Sequence, residues 1–249
     1  MGLRTEILKV DRLSQEQIQG MFSLFSQYYV DVSFEHFKSD LKEKTHVFYF
    51  SDDEGLAGFS TIFRKKMPGI SNGLILFSGD TVTKQKYWGT KILQKAFFIY
   101  IVASKLRSPF RPVYWMLMSK GFKTYLMMRK NFGLSYPMAG RATPPRFLEA
   151  QKAFYAAKFP GAYDSRSQLI SFGKSLGAVK GQLADPTLLQ LRDPDVRAFM
   201  KLNPEYKFGV ELACIAEIRF TDFFFHVAKY FIPKPALRVI ARLRPTSLT

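Results

Sequence analysis

From Thr81 to Leu148 the chain carries no aspartate or glutamate, yet thirteen cations fall inside that span. They are Lys84, Lys86, Lys91, Lys95, Lys105, Arg107, Arg111, Lys120, Lys123, Arg129, Lys130, Arg141 and Arg146, and they supply most of the net charge of +17. Charge segregated this way predicts an anionic partner: nucleic acid, an acidic protein, a phosphorylated cofactor or an anionic membrane. At the N-terminal edge of the span stands an ordered pattern. The apolar strand around Leu76-Phe77 passes Gly79-Asp80 and ends near Thr83, and the basic loop Lys84-Gln85-Lys86-Tyr87-Trp88 follows. Gly89 is then expected to open a helix through Leu106, with Ile92, Leu93, Ala96, Phe97, Tyr100 and Ile101 at helical spacing. Strand, glycine-bearing loop and helix N-terminus together offer backbone N–H groups and a positive dipole end to phosphate.

Other classes of chemistry find little support. The single Cys214 excludes a disulfide within the chain and a cysteine metal cluster; its apolar run, Leu212 to Ala216, predicts a buried and inert thiol. The three histidines lack ligand spacing, so no metal site is expected. Ser119 has no Gly-x-Ser-x-Gly context, which argues against a serine hydrolase. The longest apolar runs, Ala96 to Ala103 and Phe223 to Ile232, are far short of a bilayer span. Met1 to Glu6 lacks the apolar centre of a secretory signal, and Glu6 stands where a myristoylation motif needs Ser or Thr. A reducing, cytoplasmic setting is the expectation. A hydrophobic content of 47% with 25 phenylalanines places the chain among folded proteins and points to apolar cavities or a surface that meets lipid.

Along the chain, Glu6 to Val10 reads as a strand, and Ser14 as the N-cap of a helix that places Ile18, Met21, Phe22 and Phe25 on one side. Ser33 starts a second helix to Glu43. His46 to Phe50 and Leu56 to Arg64 form a hairpin across the turn Ser51 to Gly55, and Leu74 to Thr83 continues the meander. Beyond the helix to Leu106, Val113 to Met118 reads as a buried strand and Thr124 to Phe132 as a helix. Helices are also expected over Arg146 to Lys158 and from Asp193-Pro194 to Leu202, with strands at Leu169 to Phe172 and Val210 to Phe220. The order makes a mixed α/β (α+β) fold, antiparallel strands first and one βαβ crossover after. The tail from Phe220 to Arg244 joins Phe223, Phe224, Phe225, Tyr230 and Phe231 to a basic end free of acids, Lys234, Arg238, Arg242 and Arg244. It reads either as packing on the domain or as an interfacial segment on anionic lipid.

This element order and the Asp80 to Ala96 stretch resemble the GNAT superfamily of acyltransferases. The family's central motif is a strand followed by Gln/Arg-x-x-Gly-x-Gly/Ala at a helix start. Here Thr83 falls where the strand ends, Tyr87 matches a frequent loop aromatic, and Gly89 matches the first motif glycine. Trp88 stands where an arginine is usual and Lys91 where the second glycine is. Ser119 to Tyr125 followed by Asn131-Phe132 is similar to the family's later helix. The resemblance covers about residues 1–137, a donor-binding core, and leaves 138–249 as an elaborated extension whose late strand completes the sheet.

The resemblance implies a mostly antiparallel, twisted sheet flanked by helices. It also implies an N-acyltransferase that moves an acyl group from acyl-CoA, or from the phosphopantetheine of an acidic acyl carrier protein, to a small amine or amino acid. No tightly bound cofactor is implied. The donor cradle would be Val82, Thr83, Lys86, Trp88, Gly89, Thr90, Lys91 and Ile92. The thioester would lie between two splayed strands, with Tyr125 as acid on the departing thiolate and Asp80 as base, or else as a simple turn cap. Asp31, Glu35 and His36 lie on the acceptor side in such a fold. Abundant Phe and Met favour an acyl chain longer than acetyl, and the basic entrance suits an acidic carrier protein. The competing reading is a degenerate fold holding anionic membrane or nucleic acid on its basic face, although no nucleic-acid motif is readable.

Overall fold

The computed structural model describes residues 2–29, 32–67, 72–172 and 185–224. The aromatic-basic tail beyond residue 224, and Asp31, lie outside them. The described residues divide into two compact units, the first mainly from 2–66 and 75–101 and the second mainly from 102–171 and 185–224.

The first unit holds β1 (Arg4–Lys9), α1 (Gln15–Ser26), α2 (Phe34–Lys42), β2 (His46–Asp52), β3 (Gly55–Met67), β4 (Gly73–Thr83) and the first part of α3 (Ile92–Leu106). Both early helices start where their caps predict. Ser14 accepts the Gln17 N–H while the Gln17 side chain accepts the Ser14 N–H, a reciprocal capping box, and Ser33 accepts the His36 N–H. The strands lie in the order β1-β2-β3-β4, with β1 antiparallel to β2 and β2 antiparallel to β3. Period-two alternation then sorts the side chains. Val47, Phe59 and Val82 face the apolar side of α1 and α2, where Ile18, Met21, Leu24, Phe25, Phe37 and Leu41 complete a core. Phe48 points the other way and meets Phe97 and Tyr100 of α3 at ring distances of 6.1 and 5.5 Å. Helices therefore cover both faces.

The close pairing of β3 with the end of β4 depends on Gly58. A Cβ there would lie 2.7 Å from the Thr83 methyl and 2.8 Å from the Val82 carbonyl oxygen. One of those neighbours is backbone and cannot give way, so only glycine lets the two strands approach.

The second unit holds β5 (Val113–Ser119), α4 (Phe122–Asn131), β6 (Leu134–Tyr136), α5 (Pro145–Lys158), β7 (Tyr163–Asp164), β8 (Leu169–Ile170), α6 (Pro194–Leu202) and β9 (Glu211–Glu217). β9 runs antiparallel to β5 over six residues and also pairs with β6 and β8. The short strands β6 and β7 are additions to what the sequence predicts, and the strand expected to Phe172 stops at Ile170. Cys214 sits fully buried in β9, and burial pushes its thiol far up, as its apolar run predicts. The order from β1 to α4 is the one that the GNAT resemblance implies, in a mixed, mostly antiparallel α/β fold. Among the described residues no helix is long and apolar enough to cross a membrane.

The second unit is pinned by side-chain donors from α5. The buried Tyr155 hydroxyl reaches the carbonyl oxygens of Leu117 on β5 (3.1 Å) and Cys214 on β9 (2.8 Å), while Gln151 donates to Ala213 (2.8 Å). Removing that hydroxyl leaves buried acceptors poorer. Tyr155→Phe is expected to cost roughly 1–3 kcal/mol in urea unfolding; unchanged stability would show that the bond contributes nothing.

Candidate functional site

Between β4 and α3 the chain does not pass straight into a helix. Lys84 donates its N–H to the Ala57 carbonyl on β3 (2.8 Å), and Gln85 to Tyr87 then form a short 3-10 turn. Gly89 follows at φ +80°, in the left-handed region. The helix begins at Ile92, three residues after the expected start. The delay has a local cause: both the Thr90 N–H and its hydroxyl donate to the Tyr87 carbonyl, at 3.2 and 2.8 Å, so the chain completes a turn before it can coil.

The turn encloses a cavity of about 180 Å³ lined by Thr83, Tyr87, Trp88, Gly89, Thr90, Ile92, Leu93 and Gln94. Of the expected cradle, Thr83, Trp88, Gly89, Thr90 and Ile92 line this cavity, while Val82, Lys86 and Lys91 do not. Val82 is buried beneath α1 and α2. Lys91 is exposed and has no ion pair among the described residues. Trp88 is 60% exposed, and its indole N–H donates to the Thr83 carbonyl at 3.0 Å while its ring approaches Tyr28. Trp88 thus braces the strand end. Among the helix's first N–H groups, which have no partner within a helix, those of Ile92, Leu93 and Gln94 belong to residues that line the cavity.

Lys86, expected to reach an anion, has anions already. Its ammonium lies 2.7 Å from Glu54 Oε2, on the β2–β3 turn, and 3.0 Å from Asp52 Oδ2, at the end of β2. Tyr87 donates its hydroxyl to the same Asp52 oxygen at 2.7 Å. These contacts hold the Asp52 carboxyl well below the usual carboxylate range, the Tyr87 hydroxyl bond first among the causes, and raise Lys86. Asp52 and Glu54 are site residues that sequence reasoning missed. The available signal was a cluster of three acids, Asp52 to Glu54, at a hairpin tip in an otherwise basic chain.

Asp80 sits two residues before Val82 and is half-buried. Desolvation pushes its carboxyl up, the Lys44 ammonium pulls it down, and Asp40, which hydrogen-bonds it, pushes it up again; the net direction is upward. The Lys44 side chain, only 3% exposed, donates to Asp40 Oδ2 at 2.5 Å. Asp80 is thus one carboxyl of a half-buried pair with Asp40, with the Lys44 ammonium beside it, rather than a lone turn cap. Glu35 and His36 are exposed on α2. Tyr125, in the second unit, is 1% exposed; its hydroxyl donates to the Pro137 carbonyl at 2.8 Å, and burial, the largest influence, raises its pKa.

No protein-family model and no curated protein matches the chain. Solved structures do resemble it over about half its length. An acyl-CoA N-acyltransferase from Pseudomonas aeruginosa is 14% identical with a TM-score of 0.41, covering 53% of this chain and 88% of its own. The Escherichia coli GNAT-family N-acetyltransferase YhbS, solved in complex with CoA, is 17% identical with a TM-score of 0.37, over 53% of this chain and 70% of its own. A Trypanosoma brucei acetyltransferase is 14% identical with a TM-score of 0.39, over 57% of this chain and 98% of its own. Likeness this distant leaves the activity to be argued from the chain's own residues.

Two outcomes follow from the site's construction. Nothing lies within 4 Å of a Cβ built on Gly89, so Gly89→Ala meets only backbone strain. It should cost about 1–2 kcal/mol in chemical denaturation; a smaller loss than Gly58→Ala gives would separate strain from steric clash. For Asp80 the folded pKa lies above the unfolded one, so the folded chain holds the proton more tightly. Its contribution is favourable at low pH and is lost as pH rises through the folded value. Wild-type stability should therefore fall relative to Asp80→Asn from about pH 4 upward; parallel pH profiles would contradict the burial of this carboxyl.

Proposed function

We propose that the chain is a GNAT-like N-acyltransferase whose Thr83–Gln94 turn binds the phosphate end of a phosphopantetheine-bearing donor. The observation that carries this reading is the cavity at the N-terminus of α3, lined by the left-handed Gly89 and by Ile92, Leu93 and Gln94, the first three residues of the helix. Anions bind such helix ends through aligned N–H groups and the positive end of the dipole. The distant likeness to acyltransferases agrees with it and adds no residue roles.

In the proposed reaction the amine nitrogen attacks the thioester carbonyl directly, forming the C–N bond as the C–S bond breaks. Asp80 takes the proton from the amine nitrogen. Its raised pKa makes it a stronger base than an exposed carboxylate, and the attack requires its ionised form. The thiolate leaves and takes its proton from solvent; Tyr125, which burial keeps protonated, lies in the second unit and has no step in the proposed reaction. The fully buried Cys214 thiol, pushed far up by burial, is unsuited to form an acyl-enzyme, which agrees with direct transfer. The chain's 25 phenylalanines favour a donor longer than acetyl, carried on CoA or on an acidic carrier protein.

The test is a thiol-release assay with acetyl-CoA, decanoyl-CoA and palmitoyl-CoA against a panel of amino acids and amines, alongside a thermal-shift series that includes anionic liposomes. Amine-dependent release, fastest with the longer donors, is expected. Efficient transfer from acetyl-CoA alone would overturn the chain-length preference. Stabilisation by liposomes with neither CoA binding nor thiol release would overturn the enzyme reading.

A further inference from the structure

The lysines on either side of Gln85 are bound by carboxylates whose exposure differs sharply. Asp52 is 9% exposed and is held three ways: it accepts the Glu54 N–H at 2.8 Å on Oδ1, and the Tyr87 hydroxyl at 2.7 Å and Lys86 at 3.0 Å on Oδ2. Glu54 is 65% exposed, and among the described residues its carboxylate pairs with Lys86 at 2.7 Å and Lys84 at 3.7 Å, both through Oε2. Asp53, between them, turns the other way and lies 4.0 Å from the Arg4 guanidinium. One carboxylate is therefore built into the turn, and the other is a solvent-exposed counter-ion for the two lysines that flank the cavity-lining residues Thr83 and Tyr87. An exposed pair of this kind is worth little to stability, and a multiply charged phosphate can displace it.

We propose that Glu54 is a specificity-determining residue of the donor site: it occupies Lys84 and Lys86 in the empty protein and yields them to the phosphates of an incoming donor. The proposal rests on the reading of the Thr83–Gln94 turn as a phosphopantetheine site. Glu54 then weakens every phosphorylated ligand by the free energy needed to break its ion pairs. A pantetheine thioester, which carries no phosphate, has no use for the two lysines and does not feel Glu54. Asp52 stays in place when the donor binds, because it holds Tyr87 as well as Lys86.

Binding constants for CoA, pantetheine and inorganic pyrophosphate, measured by titration calorimetry at fixed ionic strength on wild type, Glu54→Gln and Asp53→Asn, test this. Glu54→Gln is expected to bind CoA and pyrophosphate about two- to fivefold more tightly and pantetheine with unchanged affinity. Asp53→Asn removes the same charge one residue away without touching either lysine, and should change CoA affinity by less than half as much. Equal gains in the two variants would overturn the proposal, because a general field effect would then explain them. No gain in Glu54→Gln, in a wild type that binds CoA, would overturn it as well. A wild type that binds neither CoA nor pyrophosphate would instead remove the donor site on which the proposal stands. Unfolding midpoints of both variants within about a degree of wild type would confirm that the binding changes do not come from altered folding.

Discussion

Folding brings carboxylates to cations that the sequence leaves without any nearby. Among the cations between Thr81 and Leu148, Lys84, Lys86, Lys120, Arg129, Lys130 and Arg146 form ion pairs within the described residues. Their acids come from the end of β2 and the turn after it, from the start of α6 and from β9. Arg129 and Asp195, both largely buried, tie α4 to α6 within the second unit, and Arg129 also donates to Ser135. Most of the other pairs are exposed and add little stability. Their effect is on arrangement: the large positive excess is neutralised in part, and its free remainder near the β4–α3 turn includes Lys91 and Lys95, which have no ion pair among the described residues.

The turn itself is shaped from two directions. From β3, Gly58 and the Ala57 carbonyl fix where β4 ends. From the end of β2, Asp52 fixes Tyr87 and Lys86. Gly89 and Thr90 then delay the helix long enough to leave a recess at its N-terminus. One turn of backbone thereby places the first residues of α3 along a cavity, and the carboxyl pair of Asp40 and Asp80 lies in the same unit.

What could be read in the sequence was local. Apolar periodicity and the Ser14, Ser33 and Asp193 caps located the helices, because propensity and capping act within one turn. The hairpin was marked by its acidic, glycine-ended turn. The helix start after Gly89 was misplaced because Thr90 bonds back to Tyr87, which composition does not announce. The strands β6 and β7, three and two residues long, are too short to carry an alternation. The site's electrostatics were the least legible part. Lys86 and Glu54 lie 32 residues apart, and the partnership of Asp40, Lys44 and Asp80 depends on how α2 packs over the sheet. Pairing across strands and helices is settled by tertiary packing, and a single sequence holds no record of it.

The central claim is that the N–H groups at the start of α3 receive a donor phosphate. Backbone amide chemical shifts, followed by NMR as CoA is added to the intact protein, test it most directly. The largest shifts should fall on Gly89 to Leu93, with smaller ones at Lys84 and Lys86. Shifts confined to the larger, lysine-rimmed recess lined by Lys9, Lys38 and Lys42, with the amides of Gly89 to Leu93 unmoved, would contradict it.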